Sequence, residues 1–447
     1  MVAMLGRALL TLFIFSYFVR LTSRFPVLGS IRFELLLGGL ILICVLLTSH
    51  ADKWRLSTNV SQRLNYFLLY IFLSLPLVTW PGSVLRFHFV EWVKVALFFT
   101  FLVVLVRTVD QLKWIFGVFM GCQVFRIIEP LYLHVTTGYW GSSAHSTVGG
   151  SPSTLLRLSG APHDVVNPNQ LAWVIVTMVP FLFYLLWKGG RLGKLLALLA
   201  APPFLYCLLL TGSRSGLLSL IVTLLAMCFF SKRRVKSLVV LAVFAMPVAI
   251  YSFGSLGSDM QTRYLSLIDD TVSGADTAQG RVDGWARGMR SIKNNPLFGN
   301  GLGTCQETNV NVLGGRAQIT HNLYIEILQE VGIIGLTFFM LFIVAIFKSL
   351  KETKRLMSVH GQGENGWLFR LATATQVWVV MDLFYSLSCY GLRSWEWYFF
   401  GGIAATCHAL ARECVLPTEA KTKYCEAASE AIYQNPSPKP GRVGKIA

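Results

Sequence analysis

Long apolar runs separated by short polar segments make up most of the chain. A helix needs about 20 mostly apolar residues to cross a bilayer, because its backbone polar groups must all be paired internally. Counting such runs predicts about twelve spanning helices, within a range of roughly eleven to thirteen. The runs lie near residues 4–19, 29–48, 64–80, 90–106, 112–133, 170–187, 194–210, 216–230, 236–253, 322–347, 367–387 and 395–411. The first run lacks a small-residue cleavage site, so we expect a retained helix rather than a signal peptide.

Charged residues are scarce, and their placement predicts the orientation of the chain. Of 447 residues, 54% are hydrophobic and 14% are charged, against about 25% charged in a soluble domain. The formal net charge is +17, but Lys and Arg collect mainly in alternate loops, as they do on the cytoplasmic side of membrane proteins. Membrane topology thus accounts for the charge without a nucleic-acid partner. Both termini are predicted to be cytoplasmic.

Two longer polar segments interrupt the apolar pattern, and both are expected on the outer side. Residues 134–169 form the smaller one and residues 254–321 the larger, whose Trp, Leu and Phe content favours a folded lobe over disorder. The expected organisation is therefore the first nine spanning helices over 1–253, the lobe over 254–321, three more helices over 322–412 and a flexible cytoplasmic tail over 413–447. Whether Cys305 and Cys389, both on the outer side, form a disulfide stays open at this point.

Two arginine motifs on the outer side could bind an anion. Ser213 and Arg214 belong to a glycine-flanked turn, TGSRSG, that opens a helix, and exposed N–H groups at a helix start favour negative charge. Arg281 shares one face of a short helix with Trp285, whereas Arg287 points elsewhere. A guanidinium fork at the membrane surface suits a diphosphate. The competing interpretations are an arginine that reaches lipid phosphates and a structural Arg–Asp pair.

The most informative motif begins at His321, where the lobe ends and a spanning helix starts. A histidine in the first turn of a helix tends to stay neutral and can act as a general base. Asn322, Glu326 and Glu330 recur every four residues, so they predict a polar stripe that faces the bundle interior or a wet cavity. Gly332 and Gly335 are expected to permit close packing further along. A structural role for His321 is the competing interpretation.

A fourth segment leads from the smaller outer loop into a helix. Its sequence runs from Arg157-Leu-Ser-Gly through Asn167-Pro-Asn169. Asn167-Pro-Asn169 is expected to cap that helix and to line an outer cavity; the competing interpretation is capping alone. Motifs for nucleotide-binding loops, HExxH zinc sites and serine-hydrolase elbows do not occur in the sequence.

Taken together, these motifs resemble the O-antigen ligase and O-antigen polymerase superfamily. The segments that carry the resemblance are RLSG…NPNQLA, TGSRSG, GRVDGWARG…NPLFGNGLG and HNLYIEILQEVGIIG, and they cover roughly residues 150–345. The resemblance implies an all-α polytopic membrane protein with a large periplasmic loop, similar to the GT-C class, in the bacterial inner membrane. It implies a metal-independent, inverting glycosyltransferase that needs no cofactor.

The resemblance also implies substrates and residue roles. The donor would be a glycan on undecaprenyl diphosphate, and the acceptor a growing polysaccharide, lipid A-core or a protein. His321 would be the base and Arg214 and Arg281 would hold the diphosphate, with supporting roles for Arg287, Asn322, Glu326, Asn169, Ser213 and Trp285. Membrane lipids and other membrane proteins of polysaccharide assembly are further expected partners. The alternatives are a polytopic solute transporter and a non-catalytic assembly protein.

Overall fold

Helices form almost the whole of the architecture and follow the apolar runs of the sequence. The computed structural model describes residues 2–48, 54–141, 145–148, 151–164, 166–231, 254, 257–265, 275–314, 319–389 and 391–415. A helix covers each apolar run predicted above except the one near 236–253, which lies outside these residues together with most of the C-terminal tail. The expected all-α class holds apart from one short hairpin in the smaller outer loop.

The elements are numbered here in chain order. The main helices are α1 Val2–Val19, α2 Phe33–Leu46, α3 Asn59–Ser74, α4 Pro81–Leu105, α5 Val109–Thr137, α6 Pro168–Gly189, α7 Arg191–Leu210, α8 Arg214–Phe229, α9 Ser258–Leu265, α10 Ala275–Ile292, α11 Cys305–Asn311, α12 Leu323–Val359, α13 Trp367–Tyr385 and α14 Glu396–Val415. Short helical turns lie at Leu21–Arg24, Pro26–Ser30, Trp54–Ser57, Leu75–Leu77 and Gly363–Asn365. The antiparallel hairpin pairs β1 His145–Val148 with β2 Ser151–Leu156.

Six of the described helices are long and apolar enough to cross a membrane. They are α1, α4, α5, α6, α7 and α12. Two shorter apolar helices, α2 and α8, accompany them. Several helices of this length and composition point to a multi-pass membrane protein, because about 20 mostly apolar residues match the thickness of the hydrocarbon core. The count of about twelve stays a prediction.

The bundle is organised around α12. This helix contacts α3, α13 and α14, while α8 packs between α6 and α13. Large aromatic rings fill the space between them: Trp378 stacks on Phe400 with ring centroids 3.8 Å apart, and Phe119 lies 4.7 Å from Phe399. Such rings bury a large apolar area each. The arrangement brings the first turns of α6, α8 and α12 to the same end of the bundle.

Gly332 breaks α12 into two helices. Its φ of 66° and ψ of −173° are not helical, and the loop after α10 fills the break. Ile333 N donates to Pro296 O at 3.0 Å, and Gly301 N donates to Glu330 O at 2.9 Å. A Cβ at position 332 would lie 2.2 Å from Leu297 O. The expected close packing at Gly332 is therefore confirmed, but its partner is the backbone of a loop. The helix is not continuous there, and the loop replaces the missing helical hydrogen bonds.

The two cysteines that are expected on the outer side are not joined. Neither Cys305 nor Cys389 forms a disulfide. Cys305 is buried and its Sγ donates to Gln329 Oε1 at 3.1 Å. The question left open by their spacing is thus settled by the packing of α11 against α12.

Candidate active site

The TGSRSG turn between α7 and α8 is held by two arginines from other parts of the chain. Ser213 caps α8, since its Oγ accepts the backbone N–H of Gly216 at 3.2 Å. Arg157 Nε donates to Thr211 O at 2.8 Å, and Arg263 Nε donates to Gly212 O at 2.7 Å. Gly212 has a φ of 56°, a conformation that glycine adopts without strain. Arg157 and Arg263 therefore fix the backbone that presents Arg214.

Asn169 joins this turn to α6. Its Oδ1 accepts Arg157 Nη2 at 2.8 Å and Ser213 Oγ at 2.9 Å. The cap of α6 is Asn167, which forms a capping box with Gln170. Of the two expectations for this segment, capping thus belongs to Asn167, while Asn169 connects the start of α6 to the TGSRSG turn.

Arg157, Arg214, Arg263 and Arg281 form one arginine cluster. Burial lowers the pKa of Arg157 to about 9, and the charges of Arg263, Arg281 and Arg214 add to this effect. Burial likewise lowers the pKa of Arg263 to about 10, with Arg214 and Arg281 adding to it. Both values stay above 7, so these guanidinium groups are charged at neutral pH. The cluster concentrates positive charge around the N-terminus of α8, which is where an anion is bound most favourably.

His321 lies directly before α12 and not in its first turn. Asn322 is the N-cap of that helix, and its Oδ1 accepts the backbone N–H of Tyr324 at 3.0 Å. His321 has a φ of 49°, which is uncommon for a residue other than glycine. Part of His321 is exposed to solvent. A left-handed residue is a strained feature of the kind that collects at functional sites.

The protonation state of His321 is set mainly by its surroundings. Burial by neighbouring protein atoms and then the charge of Arg281 lower the pKa of His321 below its usual value. The expectation of a neutral imidazole is therefore supported, but the cause differs from the helix dipole invoked from the sequence. Because Arg281 also acts on Arg157, Arg214 and Arg263, it connects His321 to the whole arginine cluster.

Close packing holds α10, which carries Arg281, against the start of α12. A Cβ at Gly288 would lie 2.5 Å from Ile325 Cγ2 and 2.6 Å from Thr320 Cγ2. One turn further, Gln329 Nε2 donates to Ser291 Oγ at 2.5 Å. These contacts hold α10 against Thr320, the residue before His321, and against the first part of α12. They therefore restrict the distance between Arg281 and His321.

The polar stripe of α12 is buried, as its four-residue spacing predicted. Asn322, Glu326 and Glu330 are 5%, 4% and 1% exposed. Asn322 Nδ2 donates to Leu387 O at 3.3 Å, and Glu326 Oε2 accepts Gly391 N at 2.7 Å. These two side chains therefore fasten the segment between α13 and α14 to the helix that follows His321.

The remaining sequence candidates lie on α10. Arg287 Nη2 lies 3.8 Å and Thr320 O lies 3.7 Å from the Cβ position of Gly284. Trp285 has a buried indole N–H with no acceptor among the residues that the structure describes. The structure therefore groups Arg214, Arg281, His321, Asn169 and Ser213, while Arg287 and Trp285 stay predictions. The sequence analysis missed Arg263 and gave Arg157 no role of its own, although RLSG was among its motifs.

Comparison with known families identifies the segment that holds this geometry. Residues 195–340 match the family model described as O-Antigen ligase. The chain contains an O-antigen ligase domain. That domain spans the TGSRSG turn, α10 and the start of α12, and it supports the resemblance to the O-antigen ligase and polymerase superfamily. No curated protein matches the chain.

The O-antigen ligase domain assigns the protein to a broad functional class. It is a membrane protein of the glycan-transfer type, and the family is that of a glycosyltransferase-like enzyme. The transporter alternative gains no support from this match. Arg157 lies outside the matched residues, yet it contacts the domain through Thr211. The site is therefore completed by a part of the chain that precedes the domain.

Proposed function

We propose that the protein transfers a glycan from undecaprenyl diphosphate to an acceptor hydroxyl on the outer side of the membrane. The acceptor is a growing polysaccharide, lipid A-core or a protein, and other membrane proteins of polysaccharide assembly are expected neighbours. The observation that carries this proposal is the link from His321 through Arg281 to the arginine cluster, within an O-antigen ligase domain. A base and an anion site side by side are what glycan transfer from a diphosphate needs.

The reaction follows from the charges at the two ends of the site. Neutral His321 accepts the proton of the acceptor hydroxyl while the hydroxyl oxygen bonds to the anomeric carbon. The bond from that carbon to the diphosphate oxygen breaks, and undecaprenyl diphosphate leaves with the electron pair. Arg214 and Arg281 stabilise the growing negative charge, so the residues themselves supply the electrostatic help. One direct displacement inverts the anomeric carbon and requires no metal.

The same proposal includes the arrangement in the membrane. About twelve spanning helices, similar to the GT-C class, would place the site at the outer surface of the bacterial inner membrane with both termini in the cytoplasm. Arg287, Asn322, Glu326 and Trp285 keep their supporting roles within it. Asn322 and Glu326 contribute by fastening the 386–391 segment.

The test is complementation of a deletion strain with single variants. His321→Ala, Arg214→Ala and Arg281→Ala are each expected to abolish surface glycan and to make glycan-linked undecaprenyl diphosphate accumulate. A lost general base alone slows a reaction by about 10²–10⁴-fold. Surface glycan is measured by gel electrophoresis and the precursor by mass spectrometry of extracted lipids.

Matched controls come from the opposite end of α12. His360 and Arg355 are both exposed there, so His360→Ala and Arg355→Ala should restore normal glycan. Membrane levels of every variant are compared by immunoblot. Full complementation by all three site variants at normal levels would refute the proposed function. The length and attachment of residual glycan in partial variants then separate polymerase from ligase.

A further inference from the structure

A polar cavity of about 270 Å³ lies beside the arginine cluster. Its walls come from α1, α5, α6, α13 and α14 and from the segment before α14. The side chains that define its chemistry are the aromatic Tyr17, Trp173 and Trp395 and the carboxylates of Asp382 and Glu396. The volume is just below the roughly 300–1,000 Å³ of sites for drug-sized ligands. It therefore suits a ligand of one ring.

The charges around this cavity differ in kind from those of the arginine cluster. Arg126 Nε contacts Asp164 Oδ2 at 2.6 Å, and Arg20 Nε lies 3.7 Å from Asp164 Oδ1. Asp164, only 2% exposed, thus offsets part of the positive charge of Arg20 and Arg126, which line the cavity. Asp382 is 4% exposed and accepts the indole N–H of Trp173 at 2.7 Å. The carboxyl oxygens of Asp382 and Glu396 can accept hydrogen bonds from hydroxyl groups.

Aromatic rings complete the chemistry of the cavity. Trp173 and Trp395 are both buried, with ring centroids 5.9 Å apart and planes at 80°. Two rings at that angle offer apolar surface on two sides of a small space. A ligand that presents C–H groups to rings and hydroxyl groups to carboxylates is a neutral sugar. A purely apolar ligand would leave the further acceptor capacity of Asp382, beyond its bond from Trp173, unused in a polar cavity.

Shared walls connect the cavity with the proposed site. Tyr385 lines the cavity, and its hydroxyl donates to Asn169 O at 2.8 Å. Asn169 Oδ1 in turn binds Arg157 of the cluster. Leu323, two residues after His321, also lines the cavity, and its backbone N–H donates to Ser386 O at 2.9 Å. A sugar in this cavity would thus lie next to the start of α6, which contacts the arginine cluster, and next to the start of α12, which follows His321.

We infer that this cavity binds one neutral sugar residue of the glycan, with Asp382 and Glu396 accepting its hydroxyl groups. The inference rests on the proposed function, because it assigns part of the same substrate to a second position. The sugar belongs either to the donor, next to its diphosphate, or to the acceptor. Both sources present the same hydroxyl chemistry.

The test measures binding to the full-length protein in lipid nanodiscs by tryptophan fluorescence. Three probes are titrated: undecaprenyl diphosphate without sugar, the glycan-carrying undecaprenyl diphosphate extracted from the native cells, and the oligosaccharide released from it by mild acid. The variants are Asp382→Asn, whose Oδ1 can still accept from Trp173, and Glu396→Gln. The control is Glu352→Gln, which changes an exposed carboxylate paired with Arg355 on α12. Thermal unfolding verifies that each variant is folded.

The inference predicts a selective loss of sugar binding. Asp382→Asn and Glu396→Gln should each raise the Kd for a sugar-containing probe about tenfold, the size of one lost charge-assisted hydrogen bond. The Kd for undecaprenyl diphosphate should stay unchanged. A weaker affinity for the lipid-linked glycan assigns the cavity to the donor. A weaker affinity for the released oligosaccharide alone assigns it to the acceptor.

The results that would contradict the inference differ from those that would contradict the proposed function. An unchanged Kd for both sugar-containing probes in both folded variants would overturn the inference while leaving the proposed function intact. A wild-type protein that fails to bind undecaprenyl diphosphate would instead refute the proposed function. Arg214→Ala separates the two sites further, because it should weaken both lipid probes without affecting the released oligosaccharide.

Discussion

At the scale of single residues, the site pairs one neutral side chain with several charged ones. His321 and Arg281 are close enough for the guanidinium to act on the imidazole. The same charge that would stabilise a diphosphate also adds to the effect of burial, which lowers the pKa of His321 most. Under the proposed function, Arg281 would thus serve two requirements of glycan transfer, which makes it the most informative position to vary.

This coupling predicts the pH dependence of transfer. The neutral form of His321 is the active one, and its pKa is lowered, so the acid limb of kcat/KM should lie below roughly 6.5. Arg281→Gln removes the nearby positive charge, raises the pKa of His321 and should move that limb to higher pH. Arg281→Lys keeps the charge and should leave the limb in place. The measurement is kcat/KM from pH 4.5 to 8, normalised to each variant's maximum. An acid limb that moves to lower pH in Arg281→Gln contradicts the prediction.

At the scale of elements, the broken α12 is the feature that positions the site. Its first part, residues 323–331, carries the polar stripe and follows His321. The loop at 295–301 bonds to the break, so α10 and the first part of α12 are joined at both ends: by Gly288 near Thr320 and by the loop near Gly332. Arg281 and His321 are therefore presented by one rigid unit.

Substitution of Gly332 should destabilise that unit. Gly332→Ala places a Cβ 2.2 Å from Leu297 O at a φ of 66°, which together cost about 2–5 kcal/mol of unfolding free energy. We expect a lower unfolding temperature and less protein in the membrane. Gly121→Ala is the matched control, because nothing lies within 4 Å of its Cβ position in α5. Equal thermal stability of the two variants in detergent would show that the break is not needed.

The sequence predicted the helices and part of the site, for identifiable physical reasons. Apolar runs and a four-residue polar repeat depend on neighbours along one helix, so α12 and its buried carboxylates could be recognised. The contacts of Arg157 with Thr211 and of Arg263 with Gly212 join positions 54 and 51 residues apart. No local pattern records such a contact. The break at Gly332 was missed because both flanking segments have helical periodicity, and only the partner loop reveals it.

At the scale of the whole molecule, the site lies at one end of the bundle and the basic loops at the other. This arrangement predicts which surfaces face the outside. Cys414 is exposed in the last turn of α14, and Met289 is 53% exposed on α10. Both positions are tested in a protein whose Cys389 and Cys425 are replaced by Ser. A membrane-impermeant maleimide should label Met289→Cys, in a background that also carries Cys414→Ser, in intact spheroplasts.

Cys414 provides the comparison in a second protein, which keeps Cys414 and Met289 and carries only the Cys389→Ser and Cys425→Ser replacements. It should react only after the membrane is permeabilised, because α14 is expected to end in the cytoplasm. The buried cysteines of the bundle stay unlabelled in both conditions and set the background. Labelling of Cys414 in intact spheroplasts, with Met289→Cys protected, would reverse the orientation and place His321 on the cytoplasmic side.

The loop that fills the break in α12 also determines where this protein can be divided for engineering. Backbone atoms on both sides of the junction, from 296–301 and from 329–334, depend on each other for hydrogen bonds. If a lobe is transplanted from a relative and the segment that corresponds to residues 329–334 is left out, each of these hydrogen bonds loses one of its two native partners. An exchangeable cassette therefore begins before Ala275 and ends after Ile334, inside the membrane. Chimeras that swap acceptor preference need this longer insert, although the outer loop itself ends at His321.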